Sequence, residues 1–261
     1  VPRFDSRLVT VGGVRTHDRH ACHAGGLPVV LVHGLAVSHR YLMPTAHALA
    51  GRHPVLVPDL PGFGFSDKPR RAYDVGRHAE HLAAWLDVLG VPRACIAGHS
   101  FGAEVAARLA VLRPDLVAAV VLASPTTDPA ARSRRALIGR WAVDLWIEAP
   151  WQAPVLVRDI ADAKPWRVLA TVGHSVRNAI EEDLRRLPVP PLVLGGSLDP
   201  VAPLRWRAEV AAMTGGVSVT VPAAAHNVMT TSGVRSARAI AAYLRTRRRC
   251  MDRLIGGMPP P

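Results

Sequence analysis

Residues 95–110 read "CIAGHSFGAEVAARLA", a short apolar run that passes through two glycines bracketing a serine and then takes on helical spacing. An ordinary strand-to-helix turn would use Asn, Asp or Pro as readily, so Gly98-His99-Ser100-Phe101-Gly102 asks for a reason. It fits G-x-S-x-G in the strand–turn–helix context that the pattern requires, with the serine thrust out on a tight bend. Side chains at the two glycine positions would collide with the strand or the helix. The helix that follows aims free N–H groups and its positive dipole end at charge developing beside the serine. The pentapeptide alone arises by chance, so the rest of the chain decides.

Outward from this stretch, apolar runs without alternation recur at 27–34 ("LPVVLVHG"), 53–60, 117–125, 190–200 and 217–226, the pattern of strands covered on both faces. Residues 7–11 and 14–22 alternate instead around Gly12-Gly13, as a hairpin with one wet face does. Helix-like segments lie between, at 40–50, 74–90, 102–113, 204–215 and 232–249; the second carries Ala79, Leu82, Ala83, Leu86 and Leu89 as one apolar stripe. Strand and helix in alternation predict an α/β fold, a mostly parallel sheet with helices on both faces.

The rhythm breaks once, between Thr126 and Pro190, where the chain is helical in tone and rich in Arg, Trp and Ala. Residues 126–190 read as an inserted helical cap on a core formed by 1–125 and 191–249, with a frayed tail over 250–261. Trp141, Trp146, Trp151 and Trp166 lie in the insertion. They either hold a small cap together or line a pocket, and Trp141, Trp146 and Trp166 are the candidates for substrate contact.

In an open parallel sheet, chemistry collects at the carboxyl ends of the strands. The polar residues there are His33, Asp59, Ser100, Asp199 and His226. Ser100, Asp199 and His226 stand in the order nucleophile, acid, base: imidazole takes a serine proton near neutral pH, and a buried carboxylate fixes its tautomer. Asp128 is a rival acid, lying several residues past its strand end. His33 reads as a hydrogen-bonding residue of its loop, His99 as a packing or bonding residue at the bend, and Asp59 as the brace of its own turn. His17, His20 and His23 have no carboxylate or cysteine at ligand spacing, so no metal site is expected.

"VLVHGL", "VPDLPGFGFSD", "AGHSFGA", "GGSLDPVAP" and "AAAH", in that order over residues 5–247, resemble the α/β-hydrolase family in its serine-hydrolase branch. The resemblance implies eight strands with the second antiparallel, a cap over the site, Ser100 as nucleophile, His226 as general base and acid, and Asp199 as orienting carboxylate. It places the oxyanion hole at the backbone N–H groups of Leu35 and Phe101, and implies no cofactor. Serine at position 100 argues against the dehalogenase and epoxide hydrolase branches, which need a carboxylate nucleophile. Hydrolysis of a small, largely hydrophobic carboxylic ester ranks first. Carbon–carbon bond hydrolase, lactonase, thioesterase and amidase chemistry on the same triad, or a non-hydrolytic small-molecule binder of this fold, remain open. The cap arginines leave room for a carboxylated substrate.

Composition bounds the rest. Of 261 residues, 49% are hydrophobic and 20% charged, and no apolar stretch reaches the roughly 18 residues of a membrane span. The N-terminal "VPRFDSRLVTVGG" carries charge where a secretory signal is apolar, so a soluble cytoplasmic protein is expected, monomeric or homodimeric, without a membrane partner. Three cysteines without C-x-x-C spacing point away from disulfides and a cysteine-bound metal. The net charge of +12 comes almost wholly from arginine scattered along the chain, which fits a solvated surface rather than a nucleic-acid groove.

Overall fold

The computed structural model describes residues 2–256, with side chains through Arg249. In chain order the elements are β1 (Asp5–Val11), β2 (Val14–Ala21), β3 (Val29–Val32), α1 (His39–Leu49), β4 (Val55–Pro58), α2 (Val75–Val88), β5 (Ala94–His99), α3 (Phe101–Leu112) and β6 (Val117–Ala123). Then follow α4 (Arg134–Ile147), α5 (Ala153–Ala163), α6 (Pro165–Arg177), α7 (Ile180–Leu184), β7 (Leu192–Gly196), α8 (Leu204–Thr214), β8 (Val217–Val221), α9 (Val228–Thr231) and α10 (Gly233–Gly256). The strands form one eight-stranded sheet in the order β1-β2-β4-β3-β5-β6-β7-β8. It is mixed: β2 is antiparallel to β1 and β4, while the six strands β3 to β8 pair in parallel.

The unbroken apolar runs are explained by burial on both faces. Val30, Val32, Ile96, Val120 and Leu122 face one core with α2, α3 and α8. Their neighbours Val29, Leu31, Cys95, Ala97 and Val121 face the other with α1 and α10, because successive side chains on a strand point to opposite sides. Each large aliphatic side chain so buried contributes about 1.5–3 kcal/mol. The α2 stripe packs as its spacing predicts, with Ala79, Leu82, Ala83 and Leu86 buried and Leu89 partly so. Asp74 caps that helix by accepting the Arg77 N–H at 2.8 Å.

Between β6 and β7 the chain leaves the sheet for α4 to α7, joined by short turns at Pro129–Ala131 and Pro150–Gln152. The last helix runs to Gly256, past the point at which the sequence suggests fraying; residues 257–261 of that expected tail lie outside the described residues. Among the described residues no helix is long and apolar enough to cross a membrane.

The strand order reverses at β3: β4 lies on one side of it and β5 on the other. Loops leaving the carboxyl ends of β3 and β5 therefore part there and open a crevice. The bend after β5 is very crowded. A Cβ on Gly98 would stand 2.0 Å from the Gly102 carbonyl oxygen, and one on Gly102 would stand 2.4 Å from the Val32 carbonyl oxygen. Gly139 in α4 has open space at the same position. Gly98→Ala is expected to cost more than about 3 kcal/mol, whereas Gly139→Ala is expected to be neutral or to stabilise by up to about 1 kcal/mol. Thermal unfolding of the two variants checks the contrast; equal melting temperatures would contradict it.

Candidate active site

Ser100 is the single residue between β5 and α3, with φ 57° and ψ −122°. For a residue with a Cβ such a conformation costs about 1–3 kcal/mol, and the surroundings enforce it. Its N–H donates to the Ala123 carbonyl at 2.8 Å, and its carbonyl accepts from the Ala103 N–H at 2.9 Å. Together these bonds turn the side chain out of the sheet edge.

His226 follows β8 and Asp199 follows β7. His226 Nε2 lies 2.9 Å from Ser100 Oγ, and His226 Nδ1 lies 3.1 and 3.2 Å from the two Asp199 oxygens. All three residues are at most 5% exposed. Asp199 also accepts the N–H groups of Val201 and Ala202 at 2.8 and 2.9 Å. Burial disfavours its charge, but the imidazole of His226 and these N–H groups hold the carboxyl well below its usual range. An ionised Asp199 requires the proton on Nδ1, which leaves the Nε2 lone pair facing the serine hydroxyl.

Burial likewise disfavours the His226 imidazolium. The Asp199 charge and hydrogen bond, reinforced by Asp144 and Glu148, outweigh it and raise the pKa. Those last two carboxylates come from the end of α4. Asp144 Oδ1 accepts the His226 backbone N–H at 3.1 Å, and Glu148 Oε1 accepts the Asn227 N–H at 2.5 Å. From the other side His99 Nε2 donates to the His226 carbonyl at 2.8 Å. Burial first, then the neighbouring His226, push the His99 pKa down to about 3, so its Nδ1 is free to accept the Tyr41 hydroxyl at 2.6 Å. The histidine loop is thus clamped from the sheet edge and from the inserted helices.

Leu35 and Phe101 flank Ser100. Phe101 opens α3, where the N–H has no partner within the helix. Leu35 lines, with Gly34 and Ser100, a cavity of about 260 Å³. Its opposite wall comes from the inserted helices and includes Trp141, Asp144 and Leu145 of α4 with Trp151 and Gln152.

Of the three tryptophans expected at the substrate, only Trp141 meets the cavity. Trp146 is 92% exposed and Trp166 47%, and neither lines it. Five residues is about 500° of helix, which turns Trp146 away from the face that carries Trp141. Trp166 sits in the first turn of α6, with the Arg167 guanidinium over its ring at 4.6 Å. Trp151 takes a place at the wall instead. The spacing Trp141, Asp144, Leu145 is the i, i+3, i+4 signal that marks the inner face.

Asp128, the rival acid, is bonded by Arg140 at 3.0 Å and Arg205 at 2.7 Å, with Ala130 N–H at 3.0 Å; it ties α4 to α8 rather than reaching His226. His33 accepts the Leu60 N–H on Nε2 and meets the Gly34 carbonyl through Nδ1, shaping the β3 loop. Asp59 does brace its turn, accepting the Phe65 N–H at 3.0 Å. It also binds His17 at 2.8 Å and His39 at 2.9 Å. These three buried side chains bring their ligand-type atoms within 4.8 Å of one another, but the imidazoles already hydrogen-bond the carboxylate. Sequence spacing groups His17 with His20 and His23; the fold puts it beside His39 and Asp59.

Comparison with known proteins agrees with this architecture. Residues 28–149 match the family model described as "alpha/beta hydrolase fold", and residues 166–252 match the one described as "TAP-like protein". Epoxide hydrolase A of Mycobacterium tuberculosis is 41% identical over 131 residues, 48% of this chain and 40% of that enzyme. The 2-hydroxy-6-oxo-2,4-heptadienoate hydrolase of Pseudomonas putida is 37% identical over 123 residues, 44% of this chain and 43% of that one. The chain thus spans less than half the length of these curated relatives. Among solved structures, a thermophilic esterase from Thermogutta terrifontis superposes with a TM-score of 0.78 at 24% identity, covering 93% of this chain and 99% of that one. A serine hydrolase involved in carbazole degradation superposes with a TM-score of 0.77 at 21% identity, covering 94% and 100%. The chain has the alpha/beta hydrolase fold.

Asp199→Asn is expected to lower the His226 pKa, because the charge that opposes burial is removed while the burial remains. Histidine titration by NMR on the folded variant checks this; an unchanged value would show that Asp199 does not set the imidazole's charge.

Proposed function

We propose that this chain is a serine hydrolase that cleaves a carboxylic ester of a small, largely hydrophobic substrate through an acyl-enzyme. The carrying observation is the succession Ser100 Oγ, His226 Nε2 at 2.9 Å and His226 Nδ1, Asp199 at 3.1 Å, opening on a cavity walled mainly by apolar and aromatic side chains.

In the proposed reaction His226 takes the Ser100 proton as Oγ attacks the ester carbonyl. The tetrahedral oxyanion is held by the Leu35 and Phe101 N–H groups, the latter aided by the α3 dipole. The imidazolium gives its proton to the departing alkoxide, the C–O bond breaks, and the acyl group stays on Ser100. Water, deprotonated by the same imidazole, attacks the acyl carbon and regenerates the serine. Each step uses His226 in alternate charge states. Its raised pKa makes it the stronger base toward the Ser100 hydroxyl, and base function is lost on the acid side, so kcat/KM rises with pH through that pKa.

A nucleophilic serine supports acyl transfer over the alkyl-enzyme chemistry of epoxide hydrolases and dehalogenases, which proceeds through a carboxylate ester. Cleavage of a vinylogous diketone is the second reading, favoured by the likeness to the heptadienoate hydrolase. It would appear as bleaching of a dienolate without ester turnover.

Ser100→Ala is expected to lower turnover of short-chain p-nitrophenyl esters by about 10⁴-fold or more, and a fluorophosphonate probe is expected to label Ser100. Undiminished turnover, or a label mapped to another residue, would remove the assignment.

A further inference from the structure

We infer that the inserted helices select substrates carrying a protonated amine, with Asp144 as the group that receives it; the inference rests on the Ser100 cavity being the acyl-transfer site.

The charges at the cavity carry the argument. Among the described residues that line it, Arg40 and Asp144 are the ionisable ones apart from His99, His226 and Tyr41. The Arg40 charge is balanced by Asp159 at 2.5 Å and Asp162 at 3.5 Å, both on Nη1, and the guanidinium lies over the Phe65 ring at 4.4 Å; its Nη2 is buried without a partner. Among the described residues Asp144 is matched by no cationic side chain other than the imidazole of the histidine loop. It is 6% exposed, one of its oxygens accepts the His226 N–H, and among the described residues the other has no hydrogen-bond partner. A turn further on, Glu148 is bonded, among the described residues, only to the Asn227 N–H and the Gln152 amide. In a chain with a net charge of +12, the buried Asp144 and the half-buried Glu148 at one helix end both lack an arginine among the described residues.

Gln152 points the same way. Its Nε2 donates to Glu148 at 2.8 Å, which fixes the amide orientation, and its Oε1 is buried without a partner. The Asp144 side of the wall therefore presents one buried acceptor short of a donor, Gln152 Oε1, beside the unbonded Asp144 oxygen, and an unmet buried acceptor costs stability until a ligand supplies the hydrogen. Trp141, Trp151 and Tyr41 add ring faces suited to a cation. Burial pushes the Asp144 pKa up to about 6, so the carboxylate is ionised above that pH and can pair with an ammonium. The groups facing it are His226 and Asn227 of the histidine loop, Glu148 of its own helix end, Asp199 and Tyr41.

The test separates binding from turnover. Calorimetry on the Ser100→Ala protein at about pH 8 compares hexylammonium, 1-hexanol and hexanoate. Hexylammonium is expected to bind about tenfold tighter than the alcohol, with hexanoate weakest, and the preference is expected to fade as pH drops below about 6, where Asp144 takes a proton and His226 gains charge. Asp144→Asn on the same background is expected to erase the preference and Asp144→Glu to retain it. Equal binding of amine and alcohol overturns the inference, as does tighter binding of hexanoate, which would give the cavity to Arg40 and a carboxylate. Should the asparagine variant fail to fold, the comparison of amine with alcohol on the parent and on Asp144→Glu still decides. In the active protein, the kcat/KM ratio of p-nitrophenyl 6-aminohexanoate to p-nitrophenyl heptanoate is expected to exceed one. Amine binding without hydrolysis of either ester would keep the cavity assignment and remove the esterase reading.

Discussion

The close approach of β5, α3 and β3 around one serine is the constraint on which the site depends. Gly98 and Gly102 leave room only for hydrogen atoms where the bend crosses itself and where it meets the Val32 carbonyl. Ser100 is thereby kept at φ 57°, a conformation that an isolated chain would leave. The sheet supplies the energy that keeps it there, through the Ala123 hydrogen bond and a two-sided apolar core. The strain is local and its support is distributed, which is how a rigid scaffold holds a side chain in a posture it would not choose.

Against that fixed serine, the base is placed by a loop held from two sides. His99 and the Tyr41 hydroxyl anchor the His226 carbonyl to the sheet edge, and Asp144 and Glu148 of α4 take two consecutive N–H groups. The insertion is therefore more than a lid over the cavity. It contributes both a wall of the cavity and part of the frame that aims the imidazole at Ser100, so wall and imidazole share one rigid contact.

Much of this was legible in the sequence because it depends on local pattern. Two-sided strands show as unbroken apolar runs, the crowded bend shows as paired glycines, and a parallel sheet puts the polar residues ending its strands, Ser100, Asp199 and His226, on one edge. What stayed hidden depends on docking between distant segments. Asp144 meets His226 across 82 residues, and nothing in the helical tone of residues 126–190 says which face turns inward. Counting tryptophans selects Trp146 as readily as Trp141; helical phase separates them, once α4 is known to be continuous from Arg134 to Ile147. His17 pairs with Asp59 only because β2 lies antiparallel beside β4, a neighbour relation that spacing along the chain cannot express.

Three carboxylates around one imidazole also bear on how base strength and cavity shape are linked. Burial alone would make His226 a weak base, neutral but poorly able to hold a proton; Asp199, Asp144 and Glu148 restore its basicity. Two of the three arrive on α4, so a displacement of that helix from the histidine loop would both open the cavity and withdraw charge from the base. Burial and the carboxylates act in opposite directions on the imidazole, and their balance depends on the docked arrangement. In the proposed reaction, proton transfer and substrate enclosure would then be governed by the same contact: the helix end that walls the Ser100 cavity is the one that tunes the His226 imidazole.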